Sequence, residues 1–184
     1  MKLNIPTLAE LAAEGKKATV VFWVGCAGSF DDRAKKITKA FAKVLIETQT
    51  DFAVLGTEET CTGDPAKRAG NEFLFQMQAL QNISTLNQYG VTQIVTTCPH
   101  CFNTLKNEYP ELGGHYKVIH HTQFLKDLMK TGALQVEGGT FKGKRITYHD
   151  HGYKGREKNT KEAPRDNIKK LEEELDEKRE SKTK

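Results

Sequence analysis

Four thiols are the chemically distinctive side chains of this 184-residue chain: Cys26, Cys61, Cys98 and Cys101. The first two are separated by 34 residues and the next two by 36, and the series closes on Cys98-Pro-His-Cys101. Four thiolates delivered from loops are what an iron–sulfur cluster or a tetrahedral zinc ion requires. In an intracellular chain of this size, cysteines point to metal or redox chemistry before structural disulfides. The Cys-x-x-Cys pair sits at a helix start, where Pro99 suits the first turn and the free amides favour thiolate. The same pattern serves strongly oxidising thiol–disulfide enzymes, which carry it after the first strand of a thioredoxin fold. Here it follows the third strand, and that class leaves Cys26 and Cys61 unexplained. The plain alternative is four small core residues, since cysteine is often simply buried.

The elements that must position these thiols can be read from apolar patterning. Ala18–Val24 is a continuous β-branched and aromatic run, as in a strand buried on both faces. A helix is expected over residues 31–48, with Asp31 and Asp32 at its start, where they favour the dipole. Ile37, Phe41, Val44, Leu45 and Thr48 share one face of it. A second strand spans Asp51–Leu55, and a polar loop from Thr57 to Pro65 carries Cys61. One long helix is expected from Ala66 to Gln88, with Phe73, Met77 and Leu80 as its apolar stripe. Strand three is Val91–Thr97, strand four Tyr116–Ile119, and helices follow each, the last over Thr122–Thr131. A short helix over Leu8–Ala13 precedes them all.

Helices alternating with buried strands force crossovers, so the expected fold is α/β, with a Rossmann-like parallel sheet of about four to five strands. In such a sheet the loops after strands one, two and three emerge on one edge, at the strands' carboxyl ends. Three loops therefore deliver four thiols to one crevice.

Other signals are weaker. His100, inside the Cys-x-x-Cys, is a possible further ligand, but two thiols already occupy that turn. His120-His121 reads as a surface pair at the end of strand four, with a pocket role as the alternative. His149 and His151 alternate on a strand-like segment and so face opposite ways. Gly25-Cys26-Ala27-Gly28 lacks the third glycine and the following acid of a dinucleotide-binding turn. Gly63 and Gly70 suit turn geometry and helix packing.

Three segments together resemble a known family. They are Gly25-Cys26-Ala-Gly-Ser-Phe-Asp-Asp, Glu59-Thr-Cys61-Thr-Gly-Asp-Pro-Ala-Lys-Arg-Ala-Gly-Asn-Glu, and Thr97-Cys98-Pro-His-Cys101-Phe-Asn-Thr. They are similar to the cysteine-rich (CCG) domain found in heterodisulfide reductases and in the iron–sulfur subunits of glycolate and lactate oxidases. The resemblance covers roughly residues 3–150. The family's Cys-Cys-Gly is Cys61-Thr62-Gly63 here, one thiol fewer. Family members usually carry two such domains, the second opening on a segment like Tyr-His-Asp-Pro-Cys-Tyr-Leu-Gly-Arg. This chain has Tyr148-His-Asp-His-Gly152-Tyr-Lys-Gly-Arg156, with Gly152 in the place of the cysteine.

The resemblance implies an iron–sulfur electron-transfer module of a heterodisulfide-reductase-like or glycolate-oxidase-like oxidoreductase, incomplete as an enzyme on its own. Cys26, Cys61, Cys98 and Cys101 would hold the cluster, a [4Fe-4S] group by ligand count. Redox partner subunits or a second cysteine-rich domain would be its partners. Two alternatives remain open on the residues: a structural zinc site in a partner-binding domain, and a thiol–disulfide oxidoreductase using Cys98-Pro-His-Cys101.

Charge narrows the classes further. Residues 1–140 carry 14 basic and 14 acidic side chains, and residues 141–184 carry 14 and 10, so the net +4 lies wholly in the latter. A neutral body argues against a nucleic-acid-binding face. No apolar run approaches the ~20 residues of a membrane span. The first residues do not read as a signal peptide, because Glu10 and Glu14 interrupt any apolar core, so a cytoplasmic protein is expected. Two regions are expected: a cysteine-rich domain over 1–140, and over 141–184 a degenerate start of a second domain with a charged tail. In that tail Ile168, Leu171 and Leu175 form a thin helical stripe.

Overall fold

The computed structural model describes residues 3–135 and 163–168. The chain divides into two compact units, Met1–His121 and Thr122–Lys184. The expected boundary at residue 140, the fifth strand at Arg145–Tyr148, the histidines at 149 and 151 and most of the charged tail lie outside the described residues.

The first unit is built on a four-stranded parallel sheet in the order β2-β1-β3-β4. Its strands are β1 (Val20–Trp23), β2 (Phe52–Ala53), β3 (Gln93–Thr96) and β4 (Lys117–His120). All four residues of β1 are buried, as its unbroken apolar run requires of a strand covered on both faces. Val21 pairs with Ala53 on one side and Ile94 on the other. The expected parallel α/β fold and its strand positions are therefore present, although β2 is only two residues long.

The edge beyond β2 is not open. The N-terminal segment runs alongside it: Leu8 N–H donates to the Val54 carbonyl at 2.9 Å, and Val54 N–H donates to the Pro6 carbonyl at 3.1 Å. Directly afterwards, helix α1 (Leu8–Ala13) starts on a capping box in which Thr7 and Glu10 satisfy each other's backbone amides.

Helix α2 (Gly25–Phe30) follows β1 directly, and α3 (Asp32–Glu47) is capped by the Asp31 carboxylate accepting from Ala34 N–H. Of the apolar stripe expected on α3, Phe41 and Leu45 are buried, but Ile37 is exposed and Ala42 takes a core position.

The long helix expected from Ala66 to Gln88 is two helices, α4 (Asp64–Arg68) and α5 (Glu72–Gln88). Gly70, at φ +81°, breaks them, and the Asn71 side chain caps the second. The expected stripe is also corrected. Phe73, Met77 and Leu80 are 74%, 56% and 51% exposed, whereas Phe75, Ala79, Asn82, Ile83 and Leu86 face inward. Apolar residues surround the first half of α5, so periodicity alone does not choose the buried face. The choice falls to the side that packs with Trp23, Leu55 and Tyr109 in the core. Each large side chain buried there contributes about 1.5–3 kcal/mol.

After β3 the chain forms α6 (Pro99–Asn103), a π-helical turn (Thr104–Glu108) and a short 3-10 turn (Tyr109–Leu112) in place of one regular helix. His120, expected from sequence in a surface pair, is instead 1% exposed and packs edge-on against Phe102.

In the second unit, α7 (His121–Lys130) continues from the boundary residue, and residues 163–168 are helical. Lys126 pairs with Asp166 at 2.5 Å, and Asn167 Nδ2 donates to the Thr122 carbonyl.

Candidate functional site

The strand order places a topological switch between β1 and β3. From β1 the chain moves outward to β2 on one side, then crosses back to β3 on the other. Ligand crevices form at the carboxyl ends of strands at such a point. Cys26 lies just beyond the end of β1, Cys98 and Cys101 just beyond β3, and Cys61 on the loop after β2. All four cysteines are free thiols.

They come together as two pairs. Cys26 and Cys61 face each other across loops, close enough for the Cys26 thiol to act on that of Cys61. Burial pushes the Cys61 thiol above its ordinary value, and Cys26 and Asp64 add to this, against the Gly63 N–H that favours the thiolate. Cys98 and Cys101 pair within one helical turn. The Cys98 thiol is pushed down to about 6, mainly by the hydrogen bond from Cys101 and also by the Cys101 and His100 amides. Cys101 rises as the proton-holding partner, and burial drives it further in that direction.

Gly25 stands between the pairs. Its φ is +77°, and a Cβ there would lie 3.2 Å from Cys101 Sγ and 3.9 Å from Cys98 Cβ. Only glycine lets the β1 loop approach the Cys-x-x-Cys turn this closely.

Two further devices hold the Cys61 loop, and sequence reasoning misses both. Glu59 reaches across to the end of β1, where its carboxylate accepts the Val24 N–H at 3.0 Å and the Gly25 N–H at 2.5 Å. Burial raises its carboxyl to about 7 in spite of those two hydrogen bonds. From the other side Asn82, 2% exposed, donates to the Cys61 carbonyl at 2.9 Å and accepts from Thr60 Oγ1 at 2.8 Å. The Tyr109 hydroxyl contacts Asn82 and donates to the Thr62 carbonyl. An asparagine on the inward face of an apolar helix is the sequence signal that could have found this clamp.

Thr62, in the place of the second thiol of Cys-Cys-Gly, is buried with its hydroxyl 4.0 Å from Cys101 Sγ. Gly63 follows at φ +87°, where a Cβ would come within 2.8 Å of the Phe75 ring. His100 does not join the thiols: its Nδ1 lies 3.1 Å from the buried Asp64 carboxylate, which Thr104 and Arg68 also approach. A cleft of about 400 Å³ opens beside Cys26 and Cys61, lined also by Phe30, Ser29, Thr57 and Glu59.

Two kinds of metal group take four thiolates. One zinc ion holds four sulfurs at about 2.3 Å, which places them about 3.8 Å from one another. Among the described residues no three His, Cys, Asp or Glu side chains form a set that could hold one ion. A polynuclear cluster takes its thiolates on separate irons and so accepts ligands spaced more widely. Four free thiols in two pairs on one sheet edge fit such a cluster by donor type and position.

Comparison with known proteins agrees in kind. The profile of the CCG cysteine-rich domain matches residues 20–106. The chain is 42% identical over 159 residues to a Syntrophomonas wolfei protein named EtfAB:quinone oxidoreductase, covering 86% of this chain and 22% of that one. It is 43% identical over 166 residues to the Bacillus subtilis protein named "Probable iron-sulfur-binding oxidoreductase FadF", covering 90% and 23%. With one component of the Methanosarcina barkeri dihydromethanophenazine:CoB–CoM heterodisulfide reductase it shares 33% over 155 residues, covering 81% and 37%. The chain thus spans between about a fifth and two fifths of the length of these relatives. No solved structure matches it.

Proposed function

Residues 20–106 belong to the cysteine-rich (CCG) domain family, and from that premise we propose that the chain is an iron–sulfur electron-transfer module of a larger oxidoreductase. The observation that carries this is the convergence of four free thiols at the switch point of a parallel sheet. Cys26, Cys61, Cys98 and Cys101 are the proposed ligands. With Thr62 in place of a fifth thiol, the donor count suits a [4Fe-4S] group.

When bound, such a group supplies a one-electron couple whose potential follows hydrogen bonding to sulfur, net charge and burial. This chain's residues supply the setting. The amides of His100 and Cys101 stabilise the Cys98 thiolate. Thr62 offers its hydroxyl to Cys101. Trp23, Phe75 and Phe102 keep water from the inner side of the site.

The partners that would donate and accept electrons are redox subunits or a second cysteine-rich domain, in keeping with relatives whose names denote quinone and heterodisulfide oxidoreductases. No described helix is long and apolar enough to cross a membrane. The region from residue 141 onward is proposed as the degenerate opening of a second such domain.

The test is anaerobic reconstitution of the chain with iron and sulfide. The expected product is brown, contains iron and sulfide in equal amounts, and quenches the fluorescence of Trp23, the sole tryptophan. A colourless protein that takes up one zinc and no iron would overturn the proposal.

A further inference from the structure

We propose that Glu59 is the positioning residue that sets the spacing of the Cys26–Cys61 pair, by latching the loop after β2 onto the turn after β1. The inference rests on reading the four thiols as one site.

The geometry carries it. Glu59 stands two residues before Cys61, and the amides it binds belong to the two residues before Cys26. One side chain therefore joins the chain immediately upstream of both thiols, across 34 and 35 residues of sequence. Each carboxylate oxygen takes one N–H, so rotation of the β1 turn about either bond alone is blocked. Two amides held by one carboxyl make a two-point contact, more directional than a single hydrogen bond, and it is charge-assisted when the group is ionised.

The latch ends beside the other pair, at Gly25. That residue gives its N–H to Glu59, while its Cα lies against the Cys98–Cys101 turn. The mutual spacing of Cys98 and Cys101 is set within their own helical turn, so that pair serves as the reference when Gly25 is released. No other side chain among the described residues hydrogen-bonds the Val24 or Gly25 amide. Asn82 and Tyr109 hold the Cys61 loop to α5 and to the turn after α6, but they do not touch the β1 turn. The two devices are complementary: Asn82 fixes where the Cys61 loop lies, and Glu59 fixes where Cys26 lies relative to it.

The test uses the metal-free full chain, so it is separate from the question of what the thiols bind. Limited oxidation with diamide, which takes up the two hydrogens as each disulfide forms, is followed by peptide mapping of the Cys26–Cys61 and Cys98–Cys101 products. The readout is the ratio of their initial rates. In Glu59→Ala that ratio is expected to fall by about tenfold or more, because closure between thiols depends steeply on how they are held. Glu59→Gln, nearly isosteric, keeps one acceptor and sets an NH2 against the second amide, so its ratio should fall too. It carries the test if Glu59→Ala does not fold, as judged by circular dichroism. A ratio unchanged in a folded variant overturns the proposal. So does an equal slowing of both disulfides, which would mark Glu59 as a general stabiliser. If the cluster reading itself is wrong, reconstitution stays colourless while the ratio still falls.

Discussion

The two thiol pairs share one sheet edge but are built by opposite means. Cys98 and Cys101 are neighbours in one helical turn, so the pair exists wherever α6 begins. Cys26 and Cys61 meet only when β1 and β2 are in register and the loop after β2 is held on both flanks. The first pair is mostly buried and polarised, with one thiol acidic and the other holding its proton. The second is open to the cleft, with Cys26 exposed. A site assembled from one local and one long-range half owes its accuracy to the long-range half, and Glu59, Asn82 and Gly63 all serve that half.

The largest expected effect tests whether the halves are equal. Cys101→Ser and Cys61→Ser should each cut the iron bound after reconstitution by at least about tenfold, because a cluster of this kind takes a thiolate on each corner. Full iron binding in either variant would show that one pair dispenses with the other. Next is Asn82→Ala, which leaves the Cys61 carbonyl and the Tyr109 and Thr60 hydroxyls short of a partner in a buried setting. It should cost about 2–3 kcal/mol in urea unfolding, roughly thirtyfold or more in the folding constant. A cost below about 0.5 kcal/mol, the size of a neutral surface change, would mean the long-range half needs no such clamp. The smallest effect separates the pairs by reactivity in the metal-free chain. Iodoacetamide should modify Cys98 at a rate that rises as pH passes about 6 and levels off near neutrality, since the thiolate is the nucleophile and its pKa is lowered. Cys61, whose pKa is raised, should keep gaining rate into the alkaline range. At neutral pH the difference should be about tenfold, the larger thiolate fraction of Cys98 being offset in part by its weaker nucleophilicity.

The parts of this molecule that can be read from sequence are those set by local pattern. The unbroken run in β1, Pro99 at the head of α6 and the two aspartates at the start of α3 each act within a few residues. The alternation of strands and helices is enough to place all four thiols on one edge. What escapes is decided by distant groups. Glu59 reads as an ordinary acid beside Glu58 until the β1 turn arrives 34 residues upstream to meet it. Asn82 reads as an interruption in an apolar helix, although it is the point to which the Cys61 loop is tied. The buried face of α5 is not legible because Phe73, Leu74, Phe75 and Met77 offer the core several faces at once. His120 looks like a surface residue because nothing near it in sequence reveals the ring of Phe102.

The strip of chain from Pro6 to Leu8 has a consequence for how this protein comes off the ribosome. An unpaired strand edge is a template for joining another copy edge to edge. Here the edge is β2, short and outermost, and the peptide groups that pair with Val54, the residue next to it, are synthesised well before it. When β2 emerges, its shield is already outside the tunnel. A version lacking the segment up to Leu8 is therefore expected to expose that edge and to aggregate in proportion to its concentration.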